Sequence, residues 1–148
     1  MAGEALAAIE AELRALEAPP GNFIRGLRVG RMLMLAGTGP AGPRAGKVGA
    51  EITTEEGRAA AREAGLRLLW VMREELGSLS RVGRVVQVRG FVNAVPTFEE
   101  HPYVIDGCSN LFIECFGEAG RHVRTSVGVS SLPNGIPVEI EAVVEVVE

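Results

Sequence analysis

Apolar and polar positions repeat along this chain with two different periods, and the changes of period mark its elements. Over residues 3–17, Leu6, Ile9, Leu13 and Leu16 recur at spacings of three and four, while Glu4, Glu10, Glu12 and Arg14 lie mostly off that stripe. This predicts an amphipathic helix. Pro19-Pro20-Gly21 ends it and reads as a linker. Two short apolar runs, 23–29 and 32–36, flank Gly30-Arg31 and predict a hairpin. The Gly- and Pro-rich stretch 37–49 predicts a loop. Thr53 with Glu56 three residues later is a capping box, in which each side chain satisfies the other's free backbone N–H. A long helix follows to about Leu76, with Ala61, Leu68, Met72 and Leu76 along its inner face and Gly77 as its stop. Residues 84–93 are β-like. Residues 102–116 read as a second helix carrying Ile105, Ser109, Phe112 and Phe116 on one side.

In the last third the period drops to two. Val123, Thr125, Val127 and Val129 alternate with Arg124, Ser126 and Gly128, and Val138, Ile140, Ala142, Val144 and Val146 alternate with Glu139, Glu141 and Glu145. Strict alternation means strands with one face buried. The simplest reading puts both apolar sets under the helices and gathers Arg124, Ser126, Glu139 and Glu141 on the helix-distal face. The connecting SSLPNGIP predicts an antiparallel pair. The order helix, β, β, long helix, β, helix, β, β predicts an α+β fold, a sheet with two long helices packed on one face and an extra N-terminal helix. At 148 residues this is one domain, with 1–18 as a helical extension and 22–148 as the core.

Charge and cysteine content narrow the function classes. The formal net charge is −4, and all but one of the 15 basic residues are arginines, scattered without a block. A basic stripe of the kind that grips phosphate backbones is missing, which argues against nucleic acid as a partner. No run approaches the ~20 apolar residues of a membrane span, and the Glu-containing N-terminus is unlike a signal peptide, so the expected location is cytoplasmic with no membrane. Cys108 and Cys115 sit two turns apart in one helix, about 10 Å of rise, too far for a disulfide, and are expected as free thiols. With only His101 and His122 no metal-ligand spacing arises, and no cofactor motif is present; Gly37-Thr38-Gly39 lacks the Lys-Ser/Thr of a phosphate loop.

The chemistry therefore centres on the polar set in the last third. On spacing alone, Arg124 and the glutamates are either solvated sheet residues in cross-strand ion pairs, or part of a small-molecule pocket against another subunit. An arginine suits the second reading because its planar fork donates two parallel hydrogen bonds to a carboxylate. His122, two residues before Arg124, reads as a hydrogen-bonded structural histidine or as a lining of that pocket, and Trp70 as core or interface edge.

Several ordered motifs bear on the choice. RHVRTSVGVSSLPNGIPVEIEAVVEV resembles the C-terminal signature of the RidA (YjgF) family, with its Arg-Ser/Thr strand, L-P turn and V-E-I-E-A strand. FIRGLRVGRMLMLAGTGP resembles its opening hairpin, GFVN its middle strand, and IDGCSNLFIECFGEAGRHVR a subgroup with a G-x-S-x-L helix and an F-G-E-x-G-R-H-x-R run. The resemblance spans residues 20–148. It implies a chorismate-mutase-like fold, a homotrimer with clefts between subunits, and a small carboxylate-bearing metabolite as ligand. It places Arg124 as the carboxylate anchor and Glu139 as the second catalytic residue, with Phe23, Ala36, Gly37, Asp106 and Ser126 around the substrate. In that family water attacks an enamine or imine such as 2-aminoacrylate, giving a 2-keto acid and ammonia. The chain departs from the pattern at Phe23 (usually Tyr), Ala36 (Ser), Ser126 (Cys) and Asp106 (Asn). Three functions follow: an imine/enamine deaminase, a trimeric carboxylate-binding protein without turnover, and, against the acidic composition, the ribonuclease or translation inhibitor of older family names.

Overall fold

The computed structural model describes residues 2–14, 22–42 and 44–148. Its elements are α1 (Ala2–Leu13), β1 (Gly26–Val29), β2 (Met32–Thr38), α2 (Thr54–Leu76), β3 (Val82–Asn93), α3 (His101–Phe116), β4 (Val123–Val129) and β5 (Val138–Val146). The anticipated helices, the hairpin and the strand order along the chain are all present. The C-terminal end of the anticipated 3–17 helix and the Pro19-Pro20-Gly21 linker lie outside the described residues.

The α2 boundaries follow from local chemistry. The Thr53 hydroxyl accepts from the Glu56 N–H at 3.1 Å, and the Glu56 carboxylate accepts from the Thr53 N–H at 2.9 Å. At the other end Gly77 takes φ 85°, a left-handed conformation that side chains other than glycine's enter with strain, and its N–H closes on the Arg73 carbonyl. The long helix α2 and the shorter α3 pack over the sheet, bringing Leu68, Met72, Val104, Ile105 and Phe112 onto Val85, Val88, Ile140 and Val144 in one continuous core. Their approach to each other is close because Gly107 leaves no side chain there. A Cβ at that position would lie 2.1 Å from the Arg58 carbonyl oxygen. Helix α1 lies on α2 and α3 of its own chain, burying Ile9 and Leu13 and pairing Glu12 with both terminal nitrogens of Arg62.

The sheet has the order β1-β2-β5-β3-β4. This corrects the expected β4–β5 pair. Strand β3 lies between them, antiparallel to β5 and parallel to β4. A parallel pair needs a long crossover, and α3 supplies it as a β3-α3-β4 unit lying on the sheet face. The SSLPNGIP segment then passes from β4 over to β5.

A second correction concerns the faces of β4. Glu139 and Glu141 do face away from the helices. Arg124 and Ser126 do not: their rows in the sheet are Val88–Arg124 with Ala142, and Gly90–Ser126 with Ile140, all on the helix side. Gly90 lies directly under Ile105 of α3, which fixes the assignment. The valines of β4 point outward instead, and Val123 is 66% exposed. They belong to a mostly apolar row, Leu27–Met34–Val143–Gln87–Val123, that crosses all five strands on the face no helix covers. The alternation misled because it assigns the apolar set to the covered face, and here the outer face carries exposed apolar side chains as well, beside Arg89, Glu139 and Glu141.

Candidate functional site

The anticipated site residues fall into two groups on opposite faces of the sheet. The first surrounds Glu139. This residue projects from β5 over the backbone of Gly37, where an added Cβ would come within 3.2 Å of the carboxyl group. Gly37 therefore leaves the room in which the Glu139 carboxylate rests. Ala36 positions the turn through its backbone: its N–H donates to the Arg25 carbonyl and its own carbonyl accepts from the Thr38 hydroxyl. Phe23, half-exposed, carries the Arg25 guanidinium 4.4 Å above its ring. Phe23, Arg25, Gly37, Arg67, Asn134 and Glu139 border a cavity of about 490 Å³. Arg67 braces its wall by donating to the carbonyls of Gly39 and Pro40 at 3.0 Å each. Arg25 and Arg67 had no signal in the sequence, since nothing in their spacing ties them to Glu139.

The second group lies between β4 and α3. The Nη1 group of Arg124 donates one hydrogen to Asp106 Oδ1 at 2.7 Å and one to Ser109 Oγ at 3.1 Å. Both Nη1 hydrogens are thereby engaged. The Nε and Nη2 hydrogens make no hydrogen bond among the described residues, so an open two-point donor edge remains on a partly buried cation. The hydroxyl oxygen of Ser126, on the same strand and face, is buried without a hydrogen-bond partner among the described residues. Such orphans are rare in folded proteins and mark strain, function or an absent partner.

Behind Arg124 the contacts continue. Ser109 Oγ lies 2.9 Å from His122 Nε2, and His122 Nδ1 lies 2.6 Å from the Gly120 carbonyl. Burial, the larger cause, and the Arg124 charge hold His122 below the usual histidine range, against the opposing pull of the Gly120 bond. Ser109 read from the sequence only as a member of a helix's inner face; its functional contact was missed because residues 13 apart meet here through tertiary packing.

Within one chain, Phe23, Gly37 and Glu139 come together and Arg124, Asp106 and Ser126 come together, but the two sets do not meet. Asp106 faces Arg124 directly. Cys108 and Cys115 are free and buried; burial raises both thiols, that of Cys115 to about 12, so neither is a poised nucleophile. Among the described residues no group of three or more metal-binding side chains occurs, and no helix is long and apolar enough to cross a membrane.

Taken together, these features define a class: α+β proteins with helices on one face of a five-stranded sheet, an opposite face with exposed apolar side chains, and a polar cluster on either side. Comparison with known proteins then places the chain. A family model described as "YjgF/chorismate mutase-like, putative endoribonuclease" matches residues 4–137. The chain belongs to this YjgF (RidA) family and has its chorismate-mutase-like fold. It is 42% identical over 139 residues to Protein TCP17 of Trypanosoma cruzi, covering 90% of this chain and 87% of that relative. Among solved structures, a protein of unknown function from Agrobacterium tumefaciens is 33% identical with a TM-score of 0.87, covering 98% of this chain and 96% of that one. The YjgF gene product of E. coli is 25% identical with a TM-score of 0.59, covering 86% and 91% of the respective chains.

Proposed function

We propose that the chain assembles as a homotrimer in which Arg124 of one subunit and Glu139 of a neighbour complete a cleft for a small carboxylate-bearing metabolite. The observation that carries this reading is the open Nε/Nη2 edge of Arg124, whose other nitrogen is fully engaged. A carboxylate fits that edge bidentately. The orphan Ser126 hydroxyl beside it supports a ligand or partner at the same place. The exposed apolar side chains Leu27, Val29, Met34, Val123 and Val127 on the uncovered sheet face support assembly, since exposed apolar patches rimmed by polar residues are characteristic of interaction surfaces.

In this cleft the reaction is hydrolysis of an enamine or imine of the 2-aminoacrylate type. The enamine takes a proton at its methylene carbon to become the imine. Water then adds to the imine carbon, and the resulting carbinolamine expels ammonia to leave the 2-keto acid. Imines hydrolyse in water unaided, so the protein's contribution is to fix the carboxylate on Arg124 and to orient the water or relay its proton through Glu139. Protonation states of one carboxylate suffice, and no cofactor enters the scheme.

A second reading, a carboxylate-binding protein without turnover, is favoured by one observation. Phe23 brings no hydroxyl to the Glu139 cavity and the Thr38 hydroxyl there donates to the Ala36 carbonyl, so the proton relay rests on Glu139. One experiment separates the two. An amino-acid oxidase or a pyridoxal-phosphate lyase generates the imine or 2-aminoacrylate in place, and keto-acid formation is followed with wild type and with Arg124→Ala. Acceleration lost in the variant supports the deaminase. A carboxylate that raises the melting temperature of wild type only, without acceleration, supports the binding protein.

A further inference from the structure

The polar contacts behind Arg124 have a direction that can be worked out atom by atom. The Gly120 carbonyl only accepts, so His122 Nδ1 carries a hydrogen. In a neutral imidazole Nε2 is then the acceptor, and the Ser109 hydroxyl must donate to it. With its hydrogen committed, Ser109 Oγ has lone pairs to offer, and it accepts from Arg124 Nη1. Gly120 itself is fixed: a Cβ there would lie 2.2 Å from the Phe112 carbonyl oxygen. The chain of bonds thus runs from the end of α3, through His122 and Ser109, to one nitrogen of Arg124, with Asp106 holding the other hydrogen of that nitrogen.

We propose that Ser109 and His122 are positioning residues for the substrate, acting through Arg124: together they hold its guanidinium so that the Nε/Nη2 edge, and not the Nη1 group, faces the carboxylate. This inference rests on the reading of Arg124 as the carboxylate anchor. Asp106 alone leaves the guanidinium free to swing about a single contact. The second contact at Ser109 fixes the plane, and His122 keeps the Ser109 hydroxyl from turning its hydrogen toward Arg124. The edge of the His122 ring also meets Phe112, at 6.2 Å between centroids and 76° between planes, which limits the ring's own rotation.

The arrangement works only with neutral His122. A proton on Nε2 makes it a donor: Ser109 Oγ would then accept from both Arg124 and His122, its own hydrogen would lose its acceptor, and a second positive charge would stand beside Arg124. The charged or titratable groups around His122 are Arg124 two residues on in β4, the adjacent Arg121 with its partner Glu118 in the preceding turn, Arg84 of β3, and Asp106 of α3 on the far side of Arg124. Arg84 holds the carbonyls of Glu118 and Arg121 in the turn before His122. The two acids of this set, Asp106 and Glu118, are already paired with Arg124 and Arg121. Carboxylate capture is therefore expected to weaken as pH falls below the histidine range.

The test is binding of 2-oxobutyrate by calorimetry to the assembled full-length protein, with propionate as a second probe, between about pH 8 and pH 5.5. Four variants are compared with wild type: Arg124→Ala, Ser109→Ala, His122→Asn and His122→Gln. Asn places a donor near the Nδ1 position but loses the contact to Ser109, whereas Gln reaches the Nε2 position with an acceptor that does not titrate. Ser109→Ala and His122→Asn are expected to weaken binding about 5- to 30-fold at pH 8, and His122→Gln to recover most of that loss. Wild-type affinity is expected to fall toward pH 5.5 while His122→Gln stays flat. Wild-type affinity in Ser109→Ala and in His122→Asn, with Arg124→Ala abolishing binding, would overturn the inference and leave the anchor standing. Undiminished binding by Arg124→Ala would overturn the anchor itself. A pH profile in His122→Gln that matches wild type, carried down through the pH at which NMR shows the His122 imidazole to protonate, would remove His122 from the role even if Ser109 keeps it.

Discussion

The Asp106 carboxylate lies 2.7 Å from Arg124, and it is the one acidic group in direct contact with the proposed anchor among the described residues. Replacing it as Asp106→Asn keeps an acceptor oxygen for the Nη1 hydrogen, so the guanidinium stays oriented, while one negative charge leaves the site. A ligand carboxylate on the opposite edge of Arg124 would sit about 6 Å from that charge. Their repulsion is ~0.7 kcal/mol if fully water-screened and ~2.8 kcal/mol at the effective dielectric of a protein surface. The side chain of Asp106 is 39% exposed and that of Arg124 21%, so the value falls between these limits. Taking about 1–1.5 kcal/mol, the variant should bind 2-oxobutyrate about 5- to 15-fold more tightly. Calorimetric titration at low and moderate salt measures this, and the gain should shrink as salt screens the removed charge. Losing the ion pair should lower stability by less than ~1 kcal/mol, because the pair is partly exposed. Equal or weaker binding by a variant of undiminished melting temperature would refute the placement of the ligand on the open edge.

Three further outcomes follow from the structure. Gly107→Ala drives a methyl group into the Arg58 carbonyl across the α2–α3 contact, and should cost about 2–4 kcal/mol in denaturant unfolding, at or above the usual range for overpacking. His122 titrates below 6.5 in the folded chain, so its contribution to stability is complete above pH 6.5 and is lost as pH falls through the lower folded value. The melting temperature of wild type should drop more between about pH 7.5 and pH 5 than that of His122→Gln, where this titration is absent. Charges on the bare sheet face, Met34→Asp or Val123→Glu, should release subunits of 15.7 kDa in light scattering while leaving the circular dichroism of the fold intact. Oligomers unchanged by both substitutions would mean that this face is not the assembly surface.

Much of the fold was legible because its local signals are strong. The Thr53/Glu56 box and Gly77 bracket α2 through backbone hydrogen bonds that neighbours in sequence satisfy, and no tertiary context was needed. Strand β5 was equally clear, since its alternation matches its burial residue by residue. Strand β4 was not, for a physical reason. Its valines are outward beside other apolar side chains of the uncovered face, whereas Arg124 turns inward because α3 offers it Asp106 and Ser109, and Ser126 follows on the same face with its hydroxyl unpartnered among the described residues. Pairing of β4 with β3 depended on α3 serving as a crossover, which periodicity does not encode. Glu139 and Gly37 were linked in the sequence only through the family resemblance, and Arg25, before β1, and Arg67, on α2, reach the same cavity through tertiary packing. Likewise, the contact between Ser109 and His122 exists only once α3 lies along β4.

The central claim is that two faces of different subunits make one site, and mixing two inactive variants tests it most directly. Arg124→Ala and Glu139→Gln are each prepared, confirmed inactive in keto-acid formation, then dissociated and reassembled together. In mixed trimers a cleft is intact when its arginine comes from one variant and its glutamate from the other, so random assembly restores about a quarter of the clefts. The account predicts recovery of roughly that fraction of wild-type activity, absent when either variant is reassembled alone. Mixed trimers that form and remain inactive would contradict it, because Arg124 and Glu139 would then not act across a shared cleft.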